Sequence, residues 1–215
     1  LKILVIDDHA LIREGLRQVL KDLAEKVEVL QAGNCVQAFA LAQIHADLDL
    51  IVLDYHLPDL SGLDALNLFG ERHPEIPIVF LSGAASTQLM REALESGAAG
   101  FITKSSQTDA ILDAIRHVLE GGVYMPAELR VEMALPAKAG AQVPVTKTPL
   151  TRRQELVLGC LLDGMSNKEI SDILNVSEET IKTHVTAILR YFEVQNRTQA
   201  VVAAARAGYR SAISK

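Results

Sequence analysis

"LIVLDYHLPD", residues 50–59, runs through Leu50, Ile51, Val52 and Leu53 and then stops on an acid, Asp54, with Pro58 soon after. Four consecutive apolar residues without polar alternation read as a strand buried on both faces, as in the middle of a parallel sheet. A carboxylate at the end of such a strand either greets the loop or is there to react. The rest of the chain decides between the two.

Comparable apolar runs recur at "KILVI" (2–6), "VEVLQA" (27–32), "LDLIVL" (48–53), "IPIVFL" (76–81) and "GFIT" (100–103). Between the first two, Ile12, Leu16, Val19, Leu20 and Leu23 follow the spacing of an amphipathic helix. Segments 34–45, 61–72, 87–96 and 108–120 are helix-like as well, with Gly97 and Gly121 as stops. Strands alternating with helices predict a doubly wound α/β domain with a five-stranded parallel sheet over about residues 1–121. In such sheets reactive groups gather at the carboxyl ends of the strands. Asp7 and Asp8 end the first strand, Asp54 the third and Ser82 the fourth, while Lys104 follows the fifth.

The pattern weakens after "EGG" (120–122). "MPAELRVEMAL" allows a short helix, and "PAKAGAQVPVTKTP" (136–149) has the composition of a linker, so 122–148 is expected to connect two domains. From residue 149 to 215 the chain is helical in character. "TRRQ" (151–154) and "SNKE" (166–169) fit the capping-box pattern, and further helices are expected to start near Ser177 and Thr198.

Composition supports this division. At 215 residues the chain has room for one large domain or two small ones, and 49% hydrophobic with 22% charged is ordinary for a water-soluble protein. No run approaches the ~20 apolar residues of a membrane span, and the sequence opens at Leu1 directly into a strand-like run, so no leader or anchor is expected. Cys35 and Cys160 stand far apart and in no metal-ligand spacing, which suits a reducing compartment and a cytoplasmic location. The net charge of −6 is unevenly spread: residues 145–215 hold ten Lys/Arg against seven Asp/Glu, and the remainder eleven against twenty. An acidic front and a mildly basic rear suggest different partners.

Neighbouring carboxylates at strand ends repel by about 1–4 kcal/mol per close pair, depending on the local dielectric. A hard cation such as Mg2+ relieves this, and a carboxylate held beside Mg2+ and Lys104 can attack phosphorus to form an acyl phosphate, with Ser82 donating to a phosphoryl oxygen. A single Asp in such a place is most often only a loop-facing strand end. The set of five is harder to dismiss.

Together "VIDDH", "IVLDYHLPDLSG", "FLSG" and "GAAGFITK" resemble the receiver domain of bacterial response regulators, in order, spacing and strand context over about residues 1–120. The resemblance implies the flavodoxin-like receiver fold. It makes Asp54 the phosphoacceptor, Asp7 and Asp8 the acidic pair that positions Mg2+, and the His56 carbonyl a further metal ligand. It also makes Ser82 the switch hydroxyl, Lys104 the phosphoryl contact and Phe101 the switch aromatic, although a Phe in strand five is equally what packing alone predicts. Pro58 and Gly62 match the loop after the acceptor. The His56 side chain is expected to point outward, at a position that tunes acyl-phosphate lifetime in the family.

In the tail, Ile181, Val185, Ile188, Leu189 and Phe192 form one buried helix face, and Lys182, Thr183, Thr186 and Arg190 the opposite one. Helix, turn at "NVS" and helix give a helix-turn-helix layout, although an ordinary helical bundle fits the periodicity equally well. "LTRRQ", "GMSNKEIS", "SEETIKTHV" and "NRTQAV" resemble the LuxR-type DNA-binding domain over roughly 149–210. That implies base contacts from Lys182 and Thr183, backbone contacts from Lys168, Thr180, His184 and Arg190, and a structural role for Arg197. Gln154, Thr186, Tyr191 and "YFEV" depart from the family pattern. Fewer cations mean less counterion release and more reliance on dimerisation.

The whole chain is thus similar to a NarL/FixJ-type response regulator. The resemblance implies a transcription regulator rather than an enzyme, with a sensor histidine kinase, Mg2+, double-stranded DNA and a second copy of itself as partners. The alternatives are a phosphorylation-independent regulator or protein-binding module on the same folds, and a phosphatase with an aspartyl-phosphate intermediate. The latter chemistry wants a second acid where His56 stands.

Overall fold

The computed structural model describes residues 1–83, 86–125 and 149–210. Five parallel strands, β1 (Lys2–Ile6), β2 (Glu28–Ala32), β3 (Leu50–Asp54), β4 (Ile78–Ser82) and β5 (Gly100–Thr103), lie in the order β2-β1-β3-β4-β5. Helices α1 (Ala10–Val19), α2 (Cys35–Ile44), α3 (Gly62–Arg72), α4 (Thr87–Glu95) and α5 (Thr108–Leu119) alternate with them. The doubly wound α/β expectation holds.

The apolar runs form strands because both their faces find a helix layer. Leu4, Ile6, Ile51, Leu53, Phe80 and Phe101 face one cluster, with α2, α3 and α4 residues such as Ala38, Phe69 and Leu94. Ile3, Val5, Leu50, Val52, Val79, Leu81 and Ile102 face the other, with Leu16, Leu20 and Ile115. Alternate residues of each strand thus serve opposite layers, and each fully buried Leu, Ile, Val or Phe contributes about 1.5–3 kcal/mol. β3 and β4 are buried throughout, including their last residues, Asp54 and Ser82. The polar residues are therefore strand ends rather than loop residues, and the sheet holds them firmly.

Helix boundaries follow local chemistry. Asn34, Ser61 and Ser86 cap α2, α3 and α4 with side-chain oxygens. Gly97 (φ 103) and Gly121 (φ 84) take left-handed backbone after α4 and α5, which a side chain would strain. The helical stretch ending at Leu23 tightens into a 3-10 turn from Leu20 to Leu23. Beyond Gly121 the chain still belongs to the sheet, since Tyr124 pairs with Gly100 and its N–H donates to the Ala99 carbonyl at 2.9 Å. The short helix expected at 125–135 and the linker-like stretch at 136–149 lie outside the described residues, apart from Met125 and Pro149.

The second unit contains α6 (Arg152–Leu162), α7 (Asn167–Leu174), α8 (Glu178–Phe192) and α9 (Arg197–Arg206). Both expected capping boxes are present, Thr151 with Gln154 and Ser166 with Glu169. Asn175 closes α7 in the left-handed region at φ 50, a conformation its short polar side chain tolerates. The Arg197 guanidinium donates to Asn167 Oδ1 at 2.9 Å and to the Met165 carbonyl, stapling α9 to the start of α7. Arg197 is therefore structural, as expected.

The two units touch along two seams. Arg206 of α9 reaches Glu95 of α4 at 2.6 Å. On the other side the His117 Nε2–H donates to the Gly164 carbonyl at 2.7 Å, and the Asn167 N–H donates to the Glu120 carbonyl at 3.3 Å. An open groove of roughly 1270 Å³ lies between the seams.

Candidate functional site

β1 and β3 are sheet neighbours whose connections leave in opposite directions, so their carboxyl ends open a crevice. Asp7 directly follows β1 and Asp54 is the last residue of β3, 2% and 4% exposed respectively. Lys104, next to β5, spans to both: its Nζ lies 2.8 Å from Asp54 Oδ2 and 2.7 Å from Asp7 Oδ2. Its backbone N–H donates to the Ser82 carbonyl at 2.8 Å, which fixes the lysine to β4. Burial alone would lower the Lys104 ammonium, but hydrogen bonds and attraction from Asp54 and Asp7 outweigh it and hold the pKa above the ordinary value. The lysine is a permanent cation at the floor of the crevice.

Side-chain donor atoms of Asp7, Asp8, His9 and Asp54 all lie within 4.8 Å of one another. Asp7 and Asp54 are buried while Asp8 and His9 face solvent. Asp7 Oδ2 meets the Lys104 ammonium at 2.7 Å, while its Oδ1 accepts from the His9 backbone N–H at 2.8 Å. The structure thus brings together the carboxylates and lysine singled out from sequence. It adds His9, the last letter of "VIDDH", which the sequence reading did not single out. The available signal was an imidazole immediately after two acids at a strand end.

The other residues of this edge lie on the neighbouring strands and in the loop after Asp54. Ser82 is fully buried at the end of β4, opposite Thr103. Phe101 is fully buried, with its ring 6.2 Å from that of Phe80. In this conformation the aromatic already sits inside the core. The His56 side chain is exposed and meets Tyr55 edge-on at 5.0 Å. Gly62 leaves no room for a Cβ against the Tyr55 backbone, so the loop after Asp54 closes tightly there. Asp59, in the same loop, accepts from the Cys35 and Val36 N–H groups at 3.2 and 3.1 Å and so ties the loop to the start of α2.

On α8, Ile181 and Ile188 are buried, while Thr180, Lys182, Thr183, Thr186 and Arg190 are exposed and His184 is partly so. Lys168 is exposed near the start of α7. Thr183 and Thr186 spend their hydroxyl hydrogens on the carbonyls of Glu179 and Lys182, both at 3.0 Å. Their lone pairs remain as outward acceptors, suited to the amino donors of cytosine or adenine. Lys182 is loosely paired with Glu179 at 3.6 Å.

Comparison with known proteins decides the family. Residues 3–116 match the response regulator receiver domain, and residues 148–204 match the bacterial regulatory proteins of the luxR family. The chain belongs to the LuxR-type response regulators. Among relatives of this response regulator, the glycerol metabolism activator of Pseudomonas putida is 39% identical over 94% of both chains. The nitrate/nitrite response regulator protein NarP of Escherichia coli (strain K12) is 31% identical over 94% of this chain and 93% of that one. A solved two-component response regulator of the LuxR family from Aurantimonas sp. SI85-9A1 superposes with a TM-score of 0.57 at 27% identity, covering 61% of this chain and 93% of that one. The response regulator thus carries a receiver and a LuxR-type DNA-binding unit, as expected of a transcription regulator. Among the described residues no helix is long and apolar enough to cross a membrane.

Proposed function

We propose that this response regulator is switched by phosphorylation of Asp54 and answers by changing how its helix-turn-helix unit binds DNA. The observation that carries the reading is the Lys104 ammonium held between Asp54 and Asp7 at 2.8 and 2.7 Å, beside a carboxylate cluster of metal-binding dimensions. A kinase phosphohistidine is the donor. An Asp54 carboxylate oxygen attacks phosphorus, the bond to the histidine nitrogen breaks, and an acyl phosphate remains on Asp54.

The donor set fits Mg2+. Asp7, Asp8 and Asp54 supply hard oxygen ligands, and the His56 carbonyl belongs to the loop that follows Asp54. When bound, the ion neutralises charge on the carboxylates and on the incoming phosphoryl oxygens. Lys104 then offers its ammonium to a phosphoryl oxygen, and Ser82 offers its hydroxyl from the neighbouring strand.

Transmission follows the chain. Movement of Ser82 toward the phosphoryl group pulls on the connection into α4, and α4 ends at Glu95, which holds Arg206 of α9. Release of that contact frees the α4–β5–α5 face, with Phe101 behind it, and lets the units separate and the receivers dimerise. Paired α8 helices then enter successive major grooves of an inverted repeat about one helical turn apart. Lys182 and Thr183 read bases, while Lys168, Thr180, His184, Thr186 and Arg190 lie toward the backbone or at its edge. We place the protein in the cytoplasm, with its kinase and DNA.

Selection of bound duplexes from a random pool, with and without acetyl phosphate, tests this reading. A shared inverted motif enriched more strongly after phosphorylation of wild type, but not of Asp54→Ala, is the expected result. Equal enrichment in all samples would make the regulator phosphorylation-independent and overturn the proposal.

A further inference from the structure

His9 has no part in the phosphoryl transfer just described, yet it is the residue most oddly placed at the acidic edge. It stands at the N-cap of α1, where a side chain ordinarily accepts from the first helical amides, and it makes no such bond. The imidazole folds back over the strand end instead. Its Nδ1 lies 2.7 Å from Asp8 Oδ1 and 3.2 Å from Asp7 Oδ1. The His9 backbone N–H donates to the same Asp7 Oδ1 at 2.8 Å, so that carboxylate is oriented by the residue whose ring it faces.

These are hydrogen-bond distances in the ion-free pocket, and they set Nδ1 beside the carboxylate oxygens, close to the spacing that shared ligation needs. Two donors at about 2.1 Å from an ion and at right angles are separated by about 3.0 Å, and opposite donors by about 4.2 Å. The two His9 distances bracket the first figure, and the whole set of Asp7, Asp8, His9 and Asp54 falls within 4.8 Å. Carboxylates alone suit hard ions such as Mg2+, Ca2+ and Mn2+, whereas imidazole adds most for later first-row ions such as Zn2+ and least for Mn2+.

We propose that His9 is an imidazole ligand of this metal site and makes it bind transition ions such as Mn2+ and Zn2+ more tightly than its carboxylates alone would. The inference rests on reading the acidic edge as a metal site. The ring is 64% exposed, so it swings without disturbing the core, and its substitution leaves the fold intact.

The test is calorimetric titration of the metal-free full chain with Mg2+, Mn2+ and Zn2+, for wild type, His9→Ala, His9→Gln and Asp8→Asn. Spin-echo spectroscopy of bound Mn2+, which detects a directly coordinated nitrogen, accompanies it. Both His9 variants are expected to weaken Zn2+ about tenfold and Mn2+ by a smaller factor, while Mg2+ changes by less than about twofold, with loss of the nitrogen signal. Unchanged Mn2+ and Zn2+ affinities, an equal loss for all three ions, or a nitrogen signal surviving in His9→Ala would overturn the proposal. Asp8→Asn separates this from the underlying reading: if it leaves Mg2+ binding intact, the acidic edge is not the metal site.

Discussion

At the scale of single residues, the receiver edge trades stability for chemistry. Asp7, Asp8 and Asp54 crowd together with Lys104 as their partly buried cation. Removing one acid relieves repulsion, so Asp8→Asn is expected to raise metal-free stability by about 1 kcal/mol, read as a higher urea midpoint. With Mg2+ bound at this edge as proposed, added Mg2+ should raise the urea midpoint of wild type and not that of Asp8→Asn, because an ion that binds only the folded state stabilises it. Asp59 behaves differently. Burial alone would push its carboxyl up, but hydrogen bonds from the Cys35 and Val36 amides hold it below the ordinary value. A depressed carboxylate contributes stability above its unfolded pKa of about 3.9, and that contribution fades as pH falls through the lower folded value. Asp59→Asn should therefore flatten the fall in urea midpoint between about pH 5 and pH 3. Most of these residues were legible because strand-end position is readable from apolar runs. His9 was not, since a fold-back of its ring depends on torsion angles that spacing does not encode. The Asp59 tie was hidden too, because it joins residues 24 apart in sequence.

At the scale of elements, sequence and structure agree where one element carries its own signal. Strands β3 and β4 announced themselves through unbroken apolar runs, and the capping boxes at Thr151 and Ser166 through hydroxyl and Glu/Gln three apart. Pairing signals were weaker. Nothing in "GGVYM" told that Tyr124 pairs with Gly100, because a single bridge has no periodicity. Arg197 was readable as structural only through its family motif, and its guanidinium proves to staple α9 to α7. Arg197→Ala removes those hydrogen bonds and leaves the Met165 carbonyl and Asn167 unpaired. Chemical denaturation should show a loss of about 1–3 kcal/mol confined to the helical unit, while the receiver's transition stays in place. Arg197→Lys should recover only part of it, since an ammonium lacks the planar fork.

At the scale of the whole molecule, the arrangement of the two units was beyond the sequence, because no local pattern marks which surfaces of two domains meet. The α4–α9 seam leaves the outward face of α8 exposed while tying the DNA-binding unit to the receiver. Half-exposed ion pairs are worth about 0.2–1 kcal/mol, so the Glu95–Arg206 contact is a bias rather than a lock. Glu95→Arg should increase the separated population a few-fold at most, seen as a larger radius of gyration in solution scattering, and adding Arg206→Glu should restore the compact form. The central claim is that Asp54 is the input to this arrangement. Its most direct test is the intact mass of the full chain after acetyl phosphate and Mg2+, for wild type and Asp54→Ala. The account predicts one added phosphoryl group on wild type, located to Asp54, and none on the variant; the same addition on both, or on neither, would contradict it.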